Sequence, residues 1–321
     1  MNGGPVLVAY RALGLGDLLT GLPALRALRD AHPDHCLVLA TPEWLAPLAR
    51  HSGFVDEVVG CAPLQPLPGW LSAPDVAANL HGRGPQSHRV VLAVRPRRTI
   101  AFACPGIECT RGWPEWRKDE HEVARWCRLL EESGIAADPT RLDLSAPDVA
   151  VDDRLRGATI VHPGAASPAR RWPADRWASV ARRESESGRT VVVTGSPPEL
   201  ALAEEVARRA GLGREAVIAG RTDLIELSAL VARAGRIVCG DTGIAHLATA
   251  LGTPSVVLFG PTAPALWGPP PERGRHIALW SGRGGDPHGR DPDPGLLALE
   301  VDEVTAALDA VESRAPIGAA P

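Results

Sequence analysis

Lysine is nearly missing from this chain: Lys118 is the single one among 34 basic residues. Any cation that binds phosphate here is therefore Arg or His. Aromatic residues are also sparse, at 4%, with one Tyr and three Phe. None of the six cysteines (Cys36, Cys61, Cys104, Cys109, Cys127 and Cys239) forms a C-x-x-C pair. Spacing of that kind argues against a zinc site or a disulfide framework and for free, buried thiols in a reducing compartment. No run of about 18 apolar residues occurs, so no transmembrane helix is expected. No charged segment followed by a long apolar stretch opens the sequence, so no signal peptide is expected and the location reads as cytoplasmic.

Other absences narrow the chemistry. No Walker A loop and no G-x-S-x-G elbow is present. His32, His35, His51 and His81 lack regular ligand spacing, Asp152-Asp153 reads as solvated, and Asp291-Pro-Asp293 lies in a Pro-rich loop. No metal and no cofactor is therefore expected. The net charge of −4, from 34 basic and 38 acidic residues, gives no basic stripe for nucleic acid. It allows at most peripheral membrane contact.

What is present reads as two α/β halves. At about 150 residues per domain, 321 residues suit two domains. The first half opens with strand 6–10, a glycine turn, and a helix from Leu18 to about Ala31 with Leu18, Leu22, Leu25 and Leu28 on one face. Strand 36–40, a helix near 43–51 and strand 57–59 follow, which is the start of a parallel sheet. Val76–Leu80 and Val90–Val94 are further strand candidates. Residues 95–120 read as an irregular lid or acceptor loop, and a helix spans about 120–133. A linker falls over 136–157. The second half repeats the pattern with strands near 159–162, 190–194, 236–239 and 255–259, and helices near 174–187, 198–210, 223–234 and 241–251. Residues 268–295 read as loop, and a last helix covers about 301–312 before a tail at 315–321.

Three places stand out chemically. Asp241-Thr242-Gly243-Ile-Ala-His246 follows a buried-type strand and opens a helix. Asp241 and Thr242 can cap it, and Gly243 lets a ligand approach the positive end of the helix dipole. His162-Pro163-Gly164-Ala165, then Arg170-Arg171, lies at a strand's carboxyl end, where α/β sheets bind ligands. An Arg there can fork onto a leaving diphosphate. Asp17 sits at the first strand–helix junction, either as a plain cap or as a general base. Gly14-x-Gly16 is not G-x-G-x-x-G, and no acid ends the second strand, which disfavours a dehydrogenase.

Together these stretches resemble glycosyltransferase family 9, the heptosyltransferase-like enzymes, from Val6 to about Val311. The opening Gly14-Leu-Gly16-Asp17-Leu-Leu-Thr-Gly-Leu-Pro23-Ala-Leu25 resembles the family's N-terminal signature. Ile160-Val-His162-Pro163-Gly164-Ala165 with Arg171-Trp172-Pro173, and Gly240-Asp241-Thr242-Gly243 through Gly260-Pro261-Thr262, resemble the start and the most specific motif of its donor domain. The resemblance implies a GT-B fold: two Rossmann-like domains with parallel sheets facing across a cleft. Residues 1–150 would bind the acceptor and 157–295 the nucleotide-sugar donor, with a C-terminal helix over 300–314 packing back on the first domain. Asp17 would be the catalytic base of an inverting, metal-independent displacement. Arg170 would stabilise the leaving group, where family members commonly carry Lys. His162, Gly164, Ala165, Ala166, Gly195, Glu199, Thr222, Asp241, Thr242, Gly243 and His246 would hold the donor, ADP-heptose above other nucleotide-diphosphate sugars. Gly16 and Arg11 would lie on the acceptor side, and the acceptor would be a saccharide, lipid-saccharide or natural product. An epimerase or hydrolase on the same fold would need a further acid/base pair besides Asp17. A non-catalytic sugar-binding protein would not need Asp17 at all.

Overall fold

The computed structural model describes residues 4–271 and 273–311. The chain divides into two compact units, Met1–Leu142 and Asp143–Pro321, so the boundary falls inside the expected linker. The expected end of the last helix past residue 311, and the tail at 315–321, lie outside the described residues.

The first unit runs β1 (Val6–Tyr10), α1 (Leu15–Thr20), α2 (Leu22–Ala31), β2 (Cys36–Thr41), α3 (Ala46–His51), β3 (Glu57–Gly60), β4 (Val76–Asn79), α4 (Gln86–Ala93), β5 (Arg98–Ile100) and α5 (Glu122–Glu132). Its sheet has the order β3-β2-β1-β4-β5. All its pairings are parallel; Val8, for example, lies opposite Val38 on one side and Ala77 on the other. A parallel sheet is covered on both faces, which is why β1 and β2 read as unbroken apolar runs. The strand order reverses between β1 and β4, and ligands of such sheets bind at the carboxyl ends beside that reversal.

Three local expectations change in this unit. The single helix expected from Leu18 to Ala31 is two helices that meet at Gly21. Pro23 supplies no N–H to continue the ladder, and a side chain on Gly21 would come within 3.0 Å of the Arg11 side chain. Val90–Val94 is not a strand but part of α4 and its end. Val90, Val91 and Val94 pack into the core beneath the sheet at helical spacing, so burial overrides their β preference. The strand here is instead 98–100, inside the stretch read as irregular.

The second unit runs β6 (Thr159–His162), α6 (Ala174–Glu186), β7 (Val191–Val193), α7 (Leu200–Ala210), α8 (Leu224–Arg233), β8 (Arg236–Gly240), α9 (Gly243–Leu251), β9 (Ser255–Phe259), α10 (Pro264–Trp267), β10 (His276–Trp280), α11 (Pro294–Leu297) and α12 (Val301–Ala310). Its parallel sheet has the order β10-β9-β8-β6-β7. The order reverses between β6 and β8. β10 was expected to be loop. It is a short, half-exposed edge strand whose apolar signal is interrupted by surface positions. Asp293 accepts hydrogen bonds from the N–H groups of Gly295 (2.8 Å) and Leu296 (3.2 Å), so it is the N-cap of α11.

α12 lies on α6 and β9, and Val304, Ala307 and Leu308 join the core of the second unit. A buried ion pair fixes it there. Glu184 on α6 takes the Arg236 guanidinium at 2.6 Å and the Thr159 hydroxyl at 2.6 Å. Arg236 also donates to the carbonyl of Leu308. Among the described residues, no helix is long and apolar enough to cross a membrane.

Candidate active site

The second unit gathers its expected site residues at the β6/β8 reversal. β6 ends at His162, whose Nδ1 lies 2.9 Å from Thr194 Oγ1 at the end of β7. Burial lowers the His162 pKa, against a raising influence of Glu199. The chain then turns through Gly164, Ala165 and Ala166. Arg171 holds this turn by donating Nε–H to the Ala165 carbonyl at 2.9 Å. Residues 168–170 form a short 3-10 turn that delivers Arg170 to the end of β8. There Arg170 Nη1 donates to the Asp241 carbonyl at 3.1 Å. The approach is close: a Cβ on Gly240 would come 3.2 Å from the Arg170 carbonyl oxygen, a tight contact that glycine avoids.

Asp241 is 7% exposed. Burial pushes its carboxyl up to about 6, although Arg170 pulls the other way. Thr242 is the N-cap of α9, with extended backbone (φ −146°, ψ 173°), but makes no side-chain capping bond. The expected cap by Asp241 and Thr242 is therefore not made. The Ala245 N–H turns back to the Thr242 carbonyl at 3.1 Å, while the N–H groups at the very start of α9, from Gly243, precede the first i-to-i−4 acceptor and have no side-chain cap. Thr242 Oγ1 and Arg170 Nε are likewise buried without a protein partner. Unsatisfied buried polar atoms are rare in folded proteins. Here two of them flank a positive helix end, which suits an anion with several acceptor oxygens. His246, one turn into α9, meets Trp267 edge-on at 5.8 Å between ring centres.

Gly195 and Glu199 lie together just beyond the end of β7, and Thr222 follows Gly220 by two positions. Gly220 N–H donates to the Gly195 carbonyl at 2.9 Å, which brings the 220–222 segment beside this turn. Glu199 is half-buried and accepts from Ser196 N–H (2.8 Å) and Ser196 Oγ–H (2.7 Å) with one oxygen. Its carboxylate occupies the space that a Cβ on Gly164 would need. Glu199 thus leans over the His162–Ala166 turn.

In the first unit, Asp17 lies on α1 beyond the end of β1, with Gly16 half-buried beside it. Asp17 Oδ2 accepts the Gly14 N–H at 3.1 Å, the reach-back of an N-terminal helical turn. Oδ1 lies 3.6 Å from Arg11 Nη2, with a quarter of the Asp17 side chain exposed. Burial raises the Asp17 pKa, Arg11 opposes that, and Glu122 adds to the rise. Arg11, also in the first unit, is 1% exposed. Its guanidinium is held by the Leu80 and Asp17 carbonyls, by Thr20 Oγ1 at 3.1 Å and by Glu122 Oε1 at 3.1 Å. It also lies over the Trp126 ring, 4.9 Å from its centre.

Glu122, Arg125 and Trp126 were not singled out from the sequence. A buried Arg at a strand end demands an acid, but no local pattern points to one 111 positions away. At the end of β4, the His81 ring stacks on Tyr10 at 4.8 Å. Burial pulls its pKa down to about 4, and the charge of Arg11 adds to this. The expected acceptor loop holds a cavity of about 500 Å³ lined by Cys104, Ile107, Glu108, Thr110 and Arg111. Thr110 Oγ1 braces it by accepting from Cys104 N–H at 2.9 Å.

The family model of glycosyltransferase family 9 (heptosyltransferase) matches residues 113–290. Lipopolysaccharide heptosyltransferase 2 of Escherichia coli is 34% identical over 306 residues, covering 84% of this chain and 86% of that protein. Two solved structures share the fold. The ADP-heptose lipopolysaccharide heptosyltransferase II of E. coli superposes with a TM-score of 0.75 at 22% identity, over 95% of this chain and 98% of that one. A family 9 glycosyltransferase of Veillonella parvula gives 0.74 at 20% identity, over 95% and 96%. The fold is therefore GT-B, and the chain is a glycosyltransferase that belongs to glycosyltransferase family 9.

Proposed function

We propose that this enzyme transfers heptose from ADP-heptose to a hydroxyl of a lipopolysaccharide-type saccharide, with inversion and without a metal ion. The observation that carries this is the uncapped start of α9 with two buried, unpartnered polar atoms beside it, Arg170 Nε and Thr242 Oγ1. A diphosphate supplies the acceptor oxygens that these donors require. The names of the relatives supply the sugar, the nucleotide and the acceptor class.

The chemistry follows from charge. As the acceptor oxygen bonds to the anomeric carbon, the bond from that carbon to the phosphate oxygen breaks, and the diphosphate leaves with the electron pair. Arg170 and the α9 amides stabilise that developing charge from fixed positions, which lowers the barrier more than mobile water would. Asp17 takes the proton of the attacking hydroxyl, and its raised pKa makes it a better base than an ordinary aspartate. The donor's ribose sits by Glu199 and its base near Thr222. The cavity lined by Thr110 and Arg111 belongs to the acceptor.

Calorimetry against ADP-, GDP-, UDP- and dTDP-sugars tests the donor. ADP-heptose should bind with the largest favourable signal. Binding of none of the four would end this proposal, and preference for another nucleotide would replace its donor.

A further inference from the structure

We propose that Glu122, backed by Arg125, is a positioning residue: it holds Arg11 and so sets how strongly Asp17 retains a proton. This rests on Asp17 as the base, and goes further by naming what tunes it. The geometry is a chain of contacts inside the first unit. Arg11 Nη2 lies between Glu122 Oε1 at 3.1 Å and Asp17 Oδ1 at 3.6 Å. One cation therefore serves two carboxylates, and the nearer is Glu122. Glu122 is itself buried among donors: Arg125 Nη1 and Trp126 Nε1 at 2.7 Å. Arg125 is anchored by the Glu120 carbonyl at 2.7 Å and by stacking on Trp116, 4.3 Å from the ring centre.

The charge balance follows. Burial pushes the Glu122 carboxyl up, but Arg11, Arg125 and the Trp126 N–H together bring it below the ordinary value. Glu122 is thus a fixed anion that draws Arg11 away from full service to Asp17. His81, which also feels the charge of Arg11, is uncharged at neutral pH, as is Tyr10, which stacks on it and whose pKa is raised by burial; the charges of the cluster are those of the two acids and two arginines. Such an arrangement keeps Asp17 near a cation yet basic, as a proton acceptor requires.

The two flanking groups act with opposite sign. Glu122→Gln removes the competing anion, so Arg11 serves Asp17 alone and the Asp17 pKa falls. Arg125→Gln leaves Glu122 less neutralised, so the Asp17 pKa rises. A merely structural role would lower stability in both variants and move the titration in neither. The test is carbon-13 NMR titration of the full chain labelled at aspartate carboxyls, with the Asp17 signal identified by its loss in Asp17→Asn. In the wild-type protein its midpoint lies above the ordinary value of 3.8. Glu122→Gln moves it down and Arg125→Gln moves it up, each by roughly half a pH unit or more. The acid limb of the kcat/KM profile with ADP-heptose follows the same order.

Glu122→Gln strips a buried Arg of its partner and can cost the fold. Arg125→Gln and the wild-type midpoint then decide, since they probe the same chain from the other side. An unmoved midpoint in the folded variants, or an ordinary wild-type value, overturns the inference. If Asp17→Asn still transfers sugar at the full rate, the assignment of Asp17 as base fails instead, whatever the titrations give.

Discussion

Arg170 Nη1 donates to the backbone carbonyl of Asp241 at 3.1 Å while its Nε remains buried without a protein partner. One end of the guanidinium is thereby fixed to the strand that opens α9, and the other is free to bind. A planar fork with one anchored edge can address two phosphate oxygens at a set angle, which a flexible ammonium cannot do. Arg170→Lys should therefore retain donor binding but lower kcat, as shown by separate measurement of KM and kcat.

Asp241 makes stability depend on pH. Its carboxyl is pushed up to about 6 by burial, from 3.8. The folded chain then holds this proton more tightly than the unfolded chain does. Stability from this group is thus fullest below about 4 and declines as pH rises from about 4 to about 6, by roughly 3 kcal/mol in all. Asp241→Asn should raise Tm at pH 8 by several degrees and have little effect near pH 4. Thermal unfolding at the two pH values checks this.

Asp17→Asn keeps the shape of the side chain but removes the proton acceptor. Turnover should fall by about 10²–10⁴-fold. Affinity for ADP, whose binding groups lie on the second unit in this account, should not change. Steady-state assays and calorimetry on one preparation separate the two effects.

The Glu184–Arg236 pair is structural. It joins α6, β8 and the α12 carbonyl of Leu308 inside the second unit. Glu184→Ala leaves a buried guanidinium without its acid, which costs about 3–5 kcal/mol. Denaturant unfolding should show that loss, while Glu184→Ala protein that remains folded should bind ADP as the wild type does.

Most strands were legible because both faces of a parallel sheet are buried, so β1, β2, β8 and β9 stand out as apolar runs. The failures have physical causes. Val90 and Val91 carry β-type side chains but pack as helix because the core beneath the sheet accepts them there. β10 lies at the sheet edge and alternates with surface positions, so its signal is weak. The tie of α12 to Arg236, and of Arg236 to Glu184, is a set of long-range contacts that no local pattern encodes. In the site, the Gly240–His246 and His162–Arg170 turns were visible as glycine-rich strand ends. The uncapped state of Thr242 was not, since Thr is a common cap. Nor was the burial of Arg11 or its tie to Glu122, which depends on packing over long separation.

The central claim is that a nucleotide diphosphate is bound by Arg170 and the start of α9. Calorimetric titration of ADP into wild-type protein and Arg170→Ala tests it directly. Loss of a charge-assisted contact to the diphosphate should weaken binding by roughly ten- to a hundredfold, with the fold intact by circular dichroism. Equal affinity in the two proteins would contradict it.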